Sequence, residues 1–186
     1  MSATALATVG HVANAEGVAG NYAGLSFGST NGDSPWNPSG YDYELSSDIA
    51  FGLFVGRNWS VGNNLFAGVE LAFQSEVDSD DNEDSSNPED YSLNYLLDAK
   101  ARLGTMAGEN LFLYGFVGLS GGDMSAASSG QGYTAFGYNA GVGAEYNVNE
   151  QWGIGLEYIH RSLTGYGDDS DDRTNNTIAV RALFRF

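Results

Sequence analysis

Apolar and polar residues alternate with a period of two in eight separate segments, a pattern that predicts strands rather than helices. The last segment is the clearest. Ile178, Val180, Ala182, Phe184 and Phe186 share one face, and Thr177, Ala179, Arg181, Leu183 and Arg185 share the other. Before it, Trp152, Ile154, Leu156 and Tyr158 alternate with Gly153, Gly155, Glu157 and Ile159. Phe136, Tyr138, Ala140, Val142, Ala144 and Tyr146 alternate with Gly137, Asn139, Gly141, Gly143 and Glu145. Leu111, Leu113, Gly115, Val117 and Leu119 face away from Phe112, Tyr114, Phe116 and Gly118. Leu93, Tyr95, Leu97, Ala99, Ala101 and Leu103 face away from Asn94, Leu96, Asp98, Lys100 and Arg102. The same rule separates Leu65, Ala67, Val69, Leu71 and Phe73 from Gly68, Glu70, Ala72 and Gln74, and Ile49, Phe51, Leu53 and Val55 from Asp48, Ala50 and Gly52. The first segment, Ala23, Leu25 and Phe27 against Tyr22, Gly24 and Ser26, reads as the shortest.

The apolar faces of these segments carry no charge. The opposite faces carry Glu70, Asp98, Lys100, Arg102, Glu145, Glu157, Arg161, Arg181 and Arg185, among many glycines. A soluble sandwich or small soluble barrel turns its apolar face inward and scatters Lys and Glu over the outside. Here five of the seven Lys and Arg share the glycine-rich face with a near-matching set of acids, while aliphatic and aromatic residues fill the other face. Charge inside and apolar rings outside describe a membrane barrel. Eight strands enclose a space that side chains can fill. The predicted fold is therefore all-β, an eight-stranded antiparallel up-and-down transmembrane barrel.

The connectors alternate in length. Short turns are expected at 56–64, 106–110 and 147–151, and long polar connectors at 29–47, 75–92, 121–131 and 164–176. Tight periplasmic turns and long external loops give this alternation and leave both termini periplasmic. Trp59, Tyr146, Trp152 and Phe186 would form a girdle at the short-turn side; Phe27, Phe73, Tyr95, Phe136 and Tyr158 would form one at the long-loop side.

Composition narrows the class. A chain of 186 residues suits one domain, and the absence of cysteine excludes disulfides and Cys-ligated metals. A formal net charge of −17 argues against a nucleic-acid partner. No run approaches the about 20 apolar residues of a membrane helix, but strands of about 9–11 residues suffice for a barrel. Residues 1–15 end on Ala13-Asn14-Ala15, a small-x-small cleavage pattern, and read as the tail of a secretory signal lacking its positively charged start. The barrel domain would then span 16–186.

The acids concentrate in the predicted loops: Glu76, Asp78, Asp80, Asp81, Glu83, Asp84, Glu89 and Asp90 in one, and Asp168, Asp169, Asp171 and Asp172 in another. Asp78, Asp80, Asn82, Asp84 and Glu89 approach the spacing of a Ca²⁺ loop. However, Glu83 stands where that loop needs glycine, and no helices flank it. These acids read as a solvated charge run, and no metal or cofactor is expected.

At this point the chain resembles the OmpA/OmpX-type outer-membrane β-barrel domain family. The resemblance rests on Asn21-Tyr22-Ala23-Gly24-Leu25-Ser26-Phe27-Gly28, on Tyr138 to Tyr146, on Trp152 to Tyr158 and on Ala182-Leu183-Phe184-Arg185-Phe186. It implies insertion by the outer-membrane assembly machinery through a signal that matches Phe184 and Phe186. It also implies an interior ion-pair cluster, to which Glu70, Lys100, Glu145 and Arg161 correspond, with Asp98, Arg102, Glu157 and Arg181 as further members. A periplasmic peptidoglycan-binding domain follows the barrel in some relatives; with the sequence ending on Phe186, that anchoring role is not expected here.

Three kinds of function compete. The leading expectation is a non-enzymatic monomer in outer-membrane lipid and lipopolysaccharide, acting in envelope structure, in surface interaction or as a narrow solute pore. The second is catalysis: His160 and Ser162 resemble the His-x-Ser pair of an outer-membrane lipid A deacylase family, although the third member that a serine nucleophile needs has no convincing candidate. The third is binding of an extracellular ligand through the acidic loops, with Tyr41, Tyr43 and Tyr166 as contacts.

Overall fold

A computed structural model describes residues 17–33, 48–77, 91–126, 132–164 and 173–186. The signal-like segment, the acidic Ca²⁺-like run and the loop tyrosines lie outside these residues. The described chain forms eight strands: β1 (Gly20–Asp33), β2 (Asp48–Ser60), β3 (Leu65–Val77), β4 (Tyr91–Ala107), β5 (Leu111–Ala126), β6 (Gly132–Asn147), β7 (Trp152–Thr164) and β8 (Arg173–Arg185). Each pairs antiparallel with the next, and β1 pairs with β8, closing the barrel in simple meander order. Closure leaves no strand edge with unpaired backbone groups, which a membrane-spanning sheet requires.

The register sets the tilt. A row of partners that starts at Leu111 passes through Tyr146, Ile154, Ala182, Leu25, Leu53, Phe73 and Leu97 and returns to β5 at Gly121. That stagger on eight strands corresponds to a tilt of about 40°, so each residue climbs about 2.5 Å along the barrel axis. From Trp59 to Phe51 on β2 the outward apolar positions then span about 20 Å, close to the apolar band of an outer-membrane barrel.

The faces follow the alternation of the sequence. Leu25, Leu71, Val117, Val142, Ile154 and Ile178 are exposed on the outer wall, and Glu70, Lys100, Arg102, Glu145, Arg161 and Arg181 are buried inside. The strand ends differ from expectation. β1 has 14 residues and is not the shortest strand; β2 and β3 each have 13. β2 continues to Ser60, so the turn expected at 56–64 shrinks to 61–64, and β5 reaches Ala126, well into the connector expected at 121–131. One consequence is chemical: Arg57 lies inside β2, in line with Val55 and Trp59 and exposed like them, so the outer face is not free of charge.

The short turns are built locally. Asn149 Oδ1 accepts hydrogen bonds from the backbone N–H of Gln151 (2.9 Å) and Trp152 (2.8 Å), folding the β6–β7 turn. Asn64 donates to Met106 O at 2.7 Å, tying the β2–β3 turn to β4. Gly108 opens the β4–β5 turn with φ +81°, a conformation that L side chains rarely adopt.

Candidate functional site

The barrel interior is the part of the described chain with concentrated chemistry. Its lower end, near the short turns, is an apolar plug. Val18, just before β1, is fully buried and begins an apolar cluster that runs through Phe66, Met106 and Phe112 and continues up the interior through Tyr114 and Phe116 to Ile159; the Val18 carbonyl accepts a hydrogen bond from Asn58. Phe66 and Phe112 meet edge to face at 5.7 Å.

Above the plug lies an ion-pair network centred on Glu70. Its carboxylate meets Lys100 at 3.2 Å, Arg102 at 3.0 Å and Arg181, and it accepts a hydrogen bond from Tyr22 at 3.0 Å. Lys100 also reaches Glu157 at 2.6 Å, and Arg181 bonds the other oxygen of Glu157. Arg102 continues to Glu145, which meets Arg185 at 3.2 Å. Tyr114 donates to Glu157 at 2.8 Å, and its ring packs 3.8 Å beneath the Arg102 guanidinium carbon. Arg181 lies over Phe54 at the same distance. Multiple partners are what a buried charge needs, because leaving any one unpaired costs several kcal/mol (about 3–5).

A second group sits nearer the long loops. Arg161 forms a two-point contact with Asp98, from Nε at 3.1 Å and Nη2 at 2.6 Å. Ser120 donates to Asp98 at 2.6 Å, and Arg161 also donates to Thr177 at 2.8 Å and Gln74 at 3.2 Å. Thr30 and Thr177 join their hydroxyls at 2.9 Å. Between the groups is a cavity of ≈ 20 Å³ touching Glu70, Lys100, Asp98, Glu157, Arg161 and Arg181, room for about one water.

All eight charged residues singled out in the sequence are thus buried inside, in two groups. Of the four matched to the family cluster, Glu70 and Lys100 pair directly, Glu145 joins them through Arg102, and Arg161 belongs to the other group. Arg185 faces inward as its parity predicts and joins the network at Glu145, and Tyr22, Tyr114, Gln74, Ser120 and Thr177, which are not among the predicted cluster residues, hydrogen-bond to it. Their signal was present: each shares the glycine-rich parity with the charges.

His160 and Ser162 share the outward parity of β7, but His160 is only half-buried and Ser162 is buried. His160 Nδ1 meets Asn176 Oδ1 at 2.8 Å, and Tyr158 donates to the same oxygen at 2.8 Å. A neutral amide therefore stands where an orienting carboxylate would be. Phe184 packs on Trp152 with centroids 5.0 Å apart and stacks with Phe186 at 6.4 Å, and Phe186 N donates to Asn21 O at 3.0 Å across the β1–β8 closure. Among the described residues, no cluster of His, Asp or Glu is disposed to hold a metal ion.

Comparison with known proteins agrees with this architecture. The 31 kDa outer-membrane immunogenic protein of Brucella melitensis is 31% identical over 169 residues, covering 77% of this chain and 70% of its own, and the Brucella suis protein matches equally. Neisserial surface protein A aligns with a TM-score of 0.61 at 16% identity, over 90% of this chain and 98% of that one. Ail, the attachment invasion locus protein of Yersinia pestis, aligns at 0.56 and 17% identity, over 90% and 99%. These two structures share the fold. The family model for the outer membrane protein beta-barrel domain matches residues 2–186. The chain belongs to that family and is a Gram-negative outer-membrane β-barrel protein.

Proposed function

We propose that this protein is a closed, non-catalytic, monomeric barrel that anchors its long acidic connectors at the cell surface. Its work would be in envelope structure and surface contact rather than in solute passage. The observation that carries this reading is the interior: among the described residues, the Glu70 network and the Asp98–Arg161 group enclose a cavity of ≈ 20 Å³ between them, and the Val18–Phe66–Phe112 layer closes the end below. An ion entering this space must displace paired charges, which costs several kcal/mol. Asn176 at His160 supports the non-catalytic part. The stacked Phe184 on β8 and Phe186 just after it are proposed as the element read by the outer-membrane assembly machinery, and lipopolysaccharide as the lipid around the girdle at the long-loop side.

Single-channel recording of the full chain in a planar bilayer tests the closed barrel. The parent should show no stable open state, and Arg161→Ala combined with Lys100→Ala should produce openings. Steady conductance in the parent that both substitutions leave unchanged sinks the reading. In cells that express the protein, the lipid A acyl count should equal that of cells without it.

A further inference from the structure

Arg57 has no role in the interior network. It lies on the outer wall of β2, between Val55 and Trp59, and is exposed. Among the described residues it has no carboxylate partner; its one charge contact is the Trp59 ring, 5.6 Å from the guanidinium carbon. Trp59 belongs to the girdle at the short-turn end. Arg57 starts two residues further in, about 5 Å into the apolar band at the strand tilt given above. A cation at mid-membrane in such a barrel costs about 2–4 kcal/mol, falling towards zero at the interface. A guanidinium drawn back over Trp59 is snorkelling towards the headgroups on the short-turn side.

The neighbouring strand adds a second group. Asn21 is the register partner of Arg57 on β1 and shares its outward parity, so the two Cβ atoms lie about 5 Å apart. The Asn21 amide has no hydrogen-bond partner among the described residues. On the other side, Val69 is the register partner of Arg57, and Ala67 that of Trp59, leaving space beside the ring. The result is a planar fork of donors, a second donor beside it and an aromatic wall, all on the surface that faces lipid. Guanidinium forks match phosphate oxygens in geometry and charge.

We propose that Arg57, Asn21 and Trp59 form a seat for the phosphate of an anionic phospholipid in the periplasmic leaflet. Arg57 would take two phosphate oxygens, and Asn21 would donate to one of them. Trp59 would hold the guanidinium at headgroup level. Lipopolysaccharide phosphates lie in the opposite leaflet, so the site discriminates by depth as well as by chemistry.

Native mass spectrometry of the full chain, released from micelles containing phosphatidylglycerol, phosphatidylcholine and lipid A, tests this. The parent should retain phosphatidylglycerol over phosphatidylcholine. Arg57→Gln should reduce that retention by about tenfold, as the loss of one charge-assisted contact does. Arg57→Lys, which keeps the charge but not the fork, should fall between them. Circular dichroism and the urea midpoint of each variant establish that the barrel is intact. Equal retention of phosphatidylglycerol by the parent and Arg57→Gln overturns the proposal, as does parental preference for lipid A or for neither phospholipid.

Discussion

At the scale of single residues, Glu70 is the node of the interior. Three cations and Tyr22 converge on its two carboxylate oxygens. Glu70→Gln preserves the shape and removes the charge, leaving Lys100, Arg102 and Arg181 to share fewer acids. A loss of about 3–5 kcal/mol is expected from breaking buried pairs in this way. Adding Lys100→Met removes one of the stranded cations and should restore part of that loss, so the double variant should be more stable than Glu70→Gln alone. Urea unfolding in lipid vesicles measures both. A double variant weaker than the single would mean that Lys100 contributes mainly through Glu157, its closer partner at 2.6 Å. The direct pair was legible in the sequence, because Glu70 and Lys100 fall opposite each other once β3 and β4 are paired. The contact of Arg181 with Glu70 was not. It joins strands far apart in the chain and depends on the barrel's closure and stagger, which alternation alone does not encode.

At the scale of strands, the glycines of the inner face make room for rings. Phe116 faces Gly141 and Tyr114 faces Gly143 as register partners between β5 and β6. A Cβ on either glycine would collide with that ring. Gly115, between the two rings in sequence, points to the lipid, and a Cβ there would meet only Gly141 O at 3.7 Å. Gly143→Ala should therefore displace Tyr114 from Glu157 and Arg102 and lower stability by about 1–3 kcal/mol, as overpacking does. Gly115→Ala should be neutral or slightly stabilising, since it adds apolar contact without a clash. Unfolding midpoints of the two variants read the difference; an equal effect would mean that the ring moves aside freely. The strand faces were legible for the same reason that these glycines differ: parity assigns each side chain to lipid or interior. The strand ends were not. Past the apolar band, Ser29, Thr30 and Asn31 of β1 continue to pair with β8 while both faces turn polar. Hydropathy alternation stops there, but backbone hydrogen bonding does not. Arg57 was missed at the other end in the same way, because a charge on the outer parity reads as a turn when only hydropathy is followed.

For the whole molecule, the asymmetry of the two ends predicts an orientation. The described turns at 61–64, 108–110 and 148–151 close one end, and the connectors that carry most of the acids lie at the other. Trp59 and Trp152 mark the first end; Phe136 and Tyr138 lie toward the second, all exposed to lipid. Outer-membrane barrels carry tight turns on the periplasmic side and long loops outside, so the end with the long acidic connectors should face outward and the tight turns should face the periplasm. The chain has no cysteine, so a single introduced thiol reports its own side without background. Thr164→Cys, exposed at the loop end of β7, should react with a membrane-impermeant maleimide on intact cells. Glu150→Cys and Glu109→Cys, exposed in the tight turns, should react only after the outer membrane is permeabilised. The reverse pattern would invert the barrel and place the Arg57 site among lipopolysaccharide phosphates. The labelling result therefore decides which leaflet supplies the lipid at Arg57, and the lipid-retention experiment decides whether a phosphate is held there at all.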